Sequence, residues 1–214
     1  MNINEKKSFD VIVIGGGAAG MMAAITAASN GADTMILEHK DRVGKKILST
    51  GNGKCNYTNE LQGVTYYRGD DPAFVLPVME QFGFEETVSF FEKLGIYPKN
   101  RNGYYYPASE QAASVSDVLR MELTFRHVAV VTECELRNIS EKKNGFLLET
   151  GKGRFSAQKI IFATGLLAAP KTGSDGSAIP LIKAFGHRFS DVVPALTALQ
   201  CRESFFKQLA GIRT

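Results

Sequence analysis

The chain has 214 residues, 44% hydrophobic and 22% charged, ordinary values for a soluble globular protein with a real core and room for one large domain or one domain with part of another. A net charge of +3 is too slight to imply nucleic acid or an anionic membrane surface. The three cysteines, Cys55, Cys134 and Cys201, are odd in number and far apart, which excludes a disulfide framework and a zinc site and fits a reducing cytoplasm.

Val11 to Ile14 are apolar at every position, which predicts a parallel strand buried on both faces. The strand runs into Gly15-Gly16-Gly17-Ala18-Ala19-Gly20. Gly15 is expected to make the tight exit turn. Gly17 lets the main chain approach a pyrophosphate, and Gly20 lets the next helix pack close to the strand. That helix, predicted over residues 18–30, offers free N–H groups and a partial positive charge at its start. Thr34 to Leu37 form a second apolar run, and Glu38 ends it 18 residues after Gly20. A carboxylate there accepts both hydroxyls of an unphosphorylated adenosine ribose and repels a 2′-phosphate.

Residues 11–32 are also uncharged and follow Lys6 and Lys7, the pattern of a membrane segment or signal peptide. Three consecutive glycines, each costing a helix interior roughly 1 kcal/mol relative to alanine, argue against it. So does the helix stop at Asn30, Gly31 and Asp33.

A polar loop follows over 41–59, then predicted helices at 72–82 and 85–94, the second with Val88, Phe91 and Leu94 at helical spacing. Gly103 to Pro107 read as a short strand. A helix is predicted from Ser109 to Phe125, with Ala112, Val115, Leu119 and Leu123 on one face. His127 to Val131 read as a returning strand. From Glu133 to Ala163 the pattern is a meander: ELRNIS, a turn at 143–145, GFLLET, a turn at 151–153, RFSAQ, and then a separate KIIFATG. The expected architecture is α/β, a Rossmann-like parallel sheet of the FAD/NAD(P)-binding kind, with the antiparallel β-meander as a layer over it. A short helix is expected at 177–186.

Ala163-Thr164-Gly165 ends the last strand with small residues, which brings the chain close to a dinucleotide at the sheet's carboxyl edge. The loop over 44–59 combines Gly44, Gly51 and Gly53 with Lys45, Lys46 and Lys54 and with Asn52, Asn56 and Asn59. Glycine nests beside cations suit a pyrophosphate or the pyrimidine edge of a flavin.

The stretches GKKILSTGNGKCNYTN, GYYYPASEQAASVSDVLR and ATGLLAAPKTGS resemble a family of bacterial flavoproteins that includes aminoacetone oxidase-like enzymes and 3-dehydro-bile-acid Δ4,6-reductases. The resemblance implies a FAD-binding fold with Gly15, Gly17, Ala18, Ala19 and Gly20 at the pyrophosphate and Glu38 on the ribose. It implies Lys45, Lys46, Gly51 and Asn52 along the cofactor, the main chain near Leu136 at the adenine, and Ala163, Thr164 and Gly165 at the second segment. FAD is the implied cofactor, NAD(P)H the implied reductant, and an unsaturated carbonyl compound or oxygen the implied acceptor. Against the family pattern, Leu166 replaces a second glycine, and Gly173-Ser174-Asp175-Gly176 is a shortened turn. The resemblance covers about half of a typical member. Residues 1–198 then correspond to a FAD-binding domain, discontinuous in the full family, and 199–214 to the start of a substrate domain completed by a missing segment or a partner chain.

Other residues invite a role. Cys55 reads as a packed thiol rather than a redox partner. His187 reads as a helix-end histidine, His39 as solvent-facing, and Tyr104 to Tyr106 as alternating strand aromatics. No catalytic acid or base is assigned. Two rival readings stand beside the oxidoreductase: a non-catalytic nucleotide-binding module, and an RNA-binding protein using Lys45, Lys46 and Lys54. No nucleic acid and no membrane are expected.

Overall fold

The computed structural model describes residues 7–194 together with Arg202, Glu203, Phe205 and Gln208. The two apolar runs form adjacent parallel strands, β1 (Ser8–Ile14) and β2 (Thr34–Leu37), in register from Val11↔Thr34 to Ile14↔Leu37. Helix α1 (Ala18–Ser29) joins them and stops at Asn30 and Gly31 as expected. Strand β3 (Thr58–Asn59), helices α2 (Leu76–Met79) and α3 (Phe84–Lys93), strands β4 (Pro98–Arg101) and β5 (Tyr104–Pro107), and helix α4 (Ala112–Phe125) come next. They are followed by β6 (Ala129–Val131), β7 (Leu136–Lys142), β8 (Gly145–Thr150), β9 (Gly153–Phe162) and helix α5 (Ile179–Ala184).

Six strands make one sheet in the order β6-β2-β1-β9-β8-β7. Its β6, β2, β1 and β9 are parallel, while β8 runs antiparallel to both β9 and β7. Alternate residues of β1 and β2 serve two cores. Val13 and Ile36 face Met21 and Ala24 of α1 and Leu119 and Leu123 of α4. Ile12, Ile14, Met35 and Leu37 face Leu148, Phe155 and Ala157 of the meander. Both faces are covered, which is why these strands are apolar throughout. The α/β architecture, a Rossmann-like parallel sheet with an antiparallel β-meander, is the one the sequence predicts, with the meander joined to the parallel strands through β9 in one sheet.

Three details differ from expectation. RFSAQ and KIIFATG are not two strands: β9 runs unbroken, pairing with β8 through Gly153–Ala157 and with β1 through to Phe162. No turn residue separates Gln158 from Lys159, so nothing stops the strand. The helix expected over 72–82 is a 3₁₀ turn, Pro72–Val75, followed by the single-turn α2, because Pro77 removes an amide donor there. Helix α4 begins at Ala112 rather than Ser109, since Glu110 holds φ 51° and Gln111 is extended.

A second sheet, β3-β5-β4, was not anticipated beyond its Tyr104–Pro107 strand. Its hairpin turns at Asn102-Gly103, with φ 53° and 88°, the positive values a two-residue hairpin loop requires. No helix among the described residues is long and apolar enough to cross a membrane. The expected boundary at 198/199 and most of 199–214, Phe206 included, lie outside the described residues.

Candidate functional site

The carboxyl ends of β1 and β9 lie side by side, with Ile14 opposite Phe162. At that edge β2 departs to one side of β1 and β9 to the other, the switch point where open α/β sheets form a crevice. A cleft of about 710 Å³ opens there, lined by Gly15, Gly16, Gly17, Ala18, Ala19, Glu38, Lys45, Lys46, Leu136, Ala163, Thr164 and Gly165, among others.

The glycines of the first turn divide the labour. Gly15 holds φ 100°, and a Cβ on it would lie 2.6 Å from the Ala163 carbonyl oxygen. The amide of Ala163 meanwhile donates to the Ile14 carbonyl at 2.8 Å. A Cβ on Gly20 would lie 1.8 Å from the Gly15 oxygen, so this residue permits contact between helix and turn. Gly17 is different: a Cβ there meets nothing within 4 Å, because it faces the opening. Gly17 is also the N-cap of α1 and supplies no side-chain cap, which leaves first-turn amides beside the cleft without one.

Glu38 is 8% exposed. Its Oε2 accepts from the Gly16 amide at 2.7 Å and its Oε1 from the Lys40 amide at 2.8 Å. Each oxygen keeps a lone pair for a further donor, such as a ribose hydroxyl.

Two side chains on the β2 side reach the turn at 173–177. Lys46 Nζ donates to Ser174 Oγ at 2.7 Å. His39 lies with Nδ1 3.6 Å from Glu38 Oε1 and Nε2 3.5 Å from Asp175 Oδ2. It is only partly the solvent-facing residue the sequence suggested: its side chain is 32% exposed, while Nε2 is buried and makes no hydrogen bond. Asp175 is oriented by Ser177, whose amide and hydroxyl both donate to Oδ1. These bonds, chiefly that from the Ser177 hydroxyl, and the neighbouring charges of His39 and Lys40 hold the Asp175 carboxyl below its ordinary range. Lys45 also lines the cleft, but Asp41 takes its ammonium at 2.7 Å, and that bond lowers the Asp41 carboxyl in turn.

Three residues expected along the cofactor lie outside the cleft lining: Gly20, Gly51 and Asn52. Gly51 and Asn52 both adopt φ 54° and kink the 3₁₀ segment Ile47–Gly53. Lys54 belongs to another cluster, sharing the Glu110 carboxylate with Lys99 and Arg101. Cys55 is a packed thiol, pushed up by burial, whereas Tyr104 is exposed and Tyr105 and Tyr106 are both half-buried, so the expected alternation is not seen. His187 is exposed, three residues past α5. Among the described residues no group of His, Cys, Asp or Glu is arranged to hold a metal. Sequence reasoning missed Cys134 and Leu181 on the lining, as well as the 172–177 turn. Only the short Gly173-Ser174-Asp175-Gly176 motif signalled it.

The pattern of the HI0933-like protein Rossmann domain matches residues 9–204. A 3-dehydro-bile acid Δ(4,6)-reductase of Clostridium scindens is 45% identical over 204 residues, covering 94% of this chain and 50% of that protein. A ribosomal RNA dihydrouridine synthase of Escherichia coli is 26% identical over 178 residues, covering 83% of this chain and 44% of the relative. The chain thus spans about half the length of the curated relatives it matches. Among solved structures, glycine oxidase from Geobacillus kaustophilus superposes with a TM-score of 0.51 at 16% identity, over 79% of this chain and 58% of that one. That likeness concerns the fold alone. With the pattern matched over most of its length, and with the glycine turn at the edge of a parallel sheet, the chain belongs to the family of the HI0933-like protein Rossmann domain.

Proposed function

We propose that this chain holds FAD in the β1–β9 cleft and forms the cofactor-binding part of an enzyme that passes electrons from NAD(P)H to an unsaturated carbonyl compound or to oxygen. The observation that carries the reading is the meeting of Gly17, the uncapped start of α1 and the Glu38 carboxylate in one opening. An adenine dinucleotide fits it. The empty space beyond Gly17 takes a diphosphate against main-chain amides, and a side chain in its place would fill that space.

Each residue then has a role toward the ligand. The amides of Gly17, Ala18 and Ala19 hold the diphosphate, and Lys46, whose ammonium has donors left after Ser174, balances its charge. Glu38 accepts from the ribose. The main chain at Leu136 meets the adenine, and Ala163, Thr164 and Gly165 leave room along the second wall. Gly51 and Asn52 serve the flavin end, and Gly20 acts indirectly by seating α1. Bound flavin supplies the hydride-transfer chemistry, while the protein orients it and keeps water out. The name of the Clostridium relative supports an unsaturated carbonyl acceptor. Buried, free Cys55 and Cys134 support a reducing, cytoplasmic setting.

The relatives named for ribosomal RNA raise the RNA reading again. Here Lys46 is bonded to the neutral Ser174 hydroxyl and differs in this respect from Lys45 and Lys54, which are paired with the Asp41 and Glu110 carboxylates. That weighs against it. The deciding experiment is reconstitution: purified chain incubated with FAD is expected to retain yellow flavin after gel filtration and to melt higher with FAD than with NAD. A folded, colourless chain stabilised by NAD alone would leave only a nucleotide-binding module.

A further inference from the structure

The shortened turn at 173–177 is held twice from across the cleft. Lys46 Nζ donates to Ser174 Oγ at 2.7 Å, and His39 Nε2 stands 3.5 Å from Asp175 Oδ2 on the next residue. All four side chains line the cleft. Asp175 is set for this contact, because Ser177 occupies Oδ1 and leaves Oδ2 free. His39 is set for it from behind, its Nδ1 lying 3.6 Å from Glu38 Oε1. A Cβ on Gly173 would stand 3.3 Å from the His39 ring, so the turn's backbone packs on the imidazole itself. Nε2 is buried without a hydrogen bond, 3.5 Å from Asp175 Oδ2.

We infer that His39 and Asp175 form a clasp over the adenosine end of the bound ligand, with Lys46–Ser174 as its second strap, and that this clasp sets how slowly an adenine nucleotide leaves. His39 and Asp175 are positioning residues: they act by holding the 173–177 turn over the ligand. The inference rests on the cleft binding an adenine dinucleotide. It adds that retention depends on a bridge between two walls rather than on the glycine turn alone. Because one wall follows β2 and the other precedes α5, the bridge joins segments more than 130 residues apart.

The test measures dissociation of FAD, ADP and FMN from the chain and from the variants His39→Phe, His39→Gln, Asp175→Asn and His39→Phe/Asp175→Asn. Losing one charge-assisted contact is expected to speed release of FAD and ADP about tenfold in H39F or D175N. The double variant is expected to be no faster than either single one, since both break the same bridge. H39Q, which keeps a donor, is expected to fall between. FMN, which has no adenosine, is expected to leave every variant at the wild-type rate. Equal acceleration of FMN, additive effects of H39F and D175N, or unchanged release of ADP would each overturn the clasp. A wild-type chain that holds ADP but not FAD removes the flavin reading alone and leaves the clasp to be judged on ADP.

Discussion

Two glycines three residues apart are expected to fail in opposite ways, and the comparison isolates ligand approach from packing. In Gly20→Ala the new methyl would lie 1.8 Å from the Gly15 carbonyl oxygen. Restoring even a 3.0 Å contact requires α1 to retreat by about 1.2 Å. That retreat lifts buried Met21, Ala24 and Ile25 from the sheet. Overpacking of this kind costs about 1–3 kcal/mol. Alanine's helix propensity returns roughly 1 kcal/mol at most, leaving a net loss of up to about 2 kcal/mol when it is returned in full. For a chain of this size that lowers the melting temperature by up to about 8 °C. Gly17→Ala meets nothing within 4 Å, and its φ of −73° suits any residue. Its stability should therefore stay within about 0.5 kcal/mol of wild type. On the proposed reading its methyl would stand where the diphosphate approaches, so one or more charge-assisted amide bonds, about 1.5–3 kcal/mol each, would be lost. FAD affinity is expected to drop at least about tenfold, and more than in G20A. Thermal melts and flavin fluorescence titrations on the two variants suffice. A G17A protein that melts as low as G20A, or that binds FAD as wild type does, would refute the division of roles.

Glu38→Gln keeps the shape but turns an amide NH₂ toward the Gly16 or Lys40 donor. The unmatched buried donor is expected to cost about 1–3 kcal/mol, visible as a lowered melting temperature together with weakened FAD binding. Glu110 is held at about 2 rather than 4.5, first by the Lys99 hydrogen bond and then by Lys54 and Arg101. Because its folded value is depressed, its contribution is full above about 4.5 and is lost as pH falls toward 2. Melts across pH 2–5 should therefore be steeper for wild type than for Glu110→Gln. Burial raises the Cys55 thiol, so iodoacetamide at pH 8 is expected to spare Cys55 in the native chain and modify it after denaturation, as read by peptide mass mapping.

What the sequence disclosed depended on whether the signal was local. The β1 run, the glycine turn and Glu38 are read from neighbours along the chain, and the structure puts them in one cleft. The α4 face was legible for the same reason: Ala112, Val115, Leu119 and Leu123 repeat at helical spacing and all are buried. The β4 strand was not, because Pro98-Lys99-Asn100-Arg101 has no strand-like residues and is held only by pairing with β5. His39 was only half read for a related reason. A polar residue after a strand reads as exposed unless one knows that Asp175 and Gly173 arrive beside it from far along the chain. Gly51 and Asn52 carry a specific motif, yet a motif states which residues recur and not which wall they occupy.

The same reasoning explains why the cleft is made of small residues rather than of functional side chains. Backbone atoms of three segments converge at the carboxyl end of β1: the Gly15 turn, the start of α1 at Gly20, and Ala163 at the end of β9. Any Cβ at Gly15 or Gly20 would push these apart, and the first-turn amides would then no longer share an opening with Glu38. On the proposed reading, a preference for an unphosphorylated ribose and the hold on a diphosphate would therefore depend on a packing condition set about 145 residues apart in sequence, between Gly15–Gly20 and Ala163. Enlarging Ala163 tests this from the far side. Its Cβ already lies 3.3 Å from the position of a Gly20 Cβ. Ala163→Val is therefore expected to mimic G20A in lowering the melting temperature although it leaves both glycines intact. A fully stable A163V chain with native FAD affinity would show that the convergence is looser than the geometry indicates.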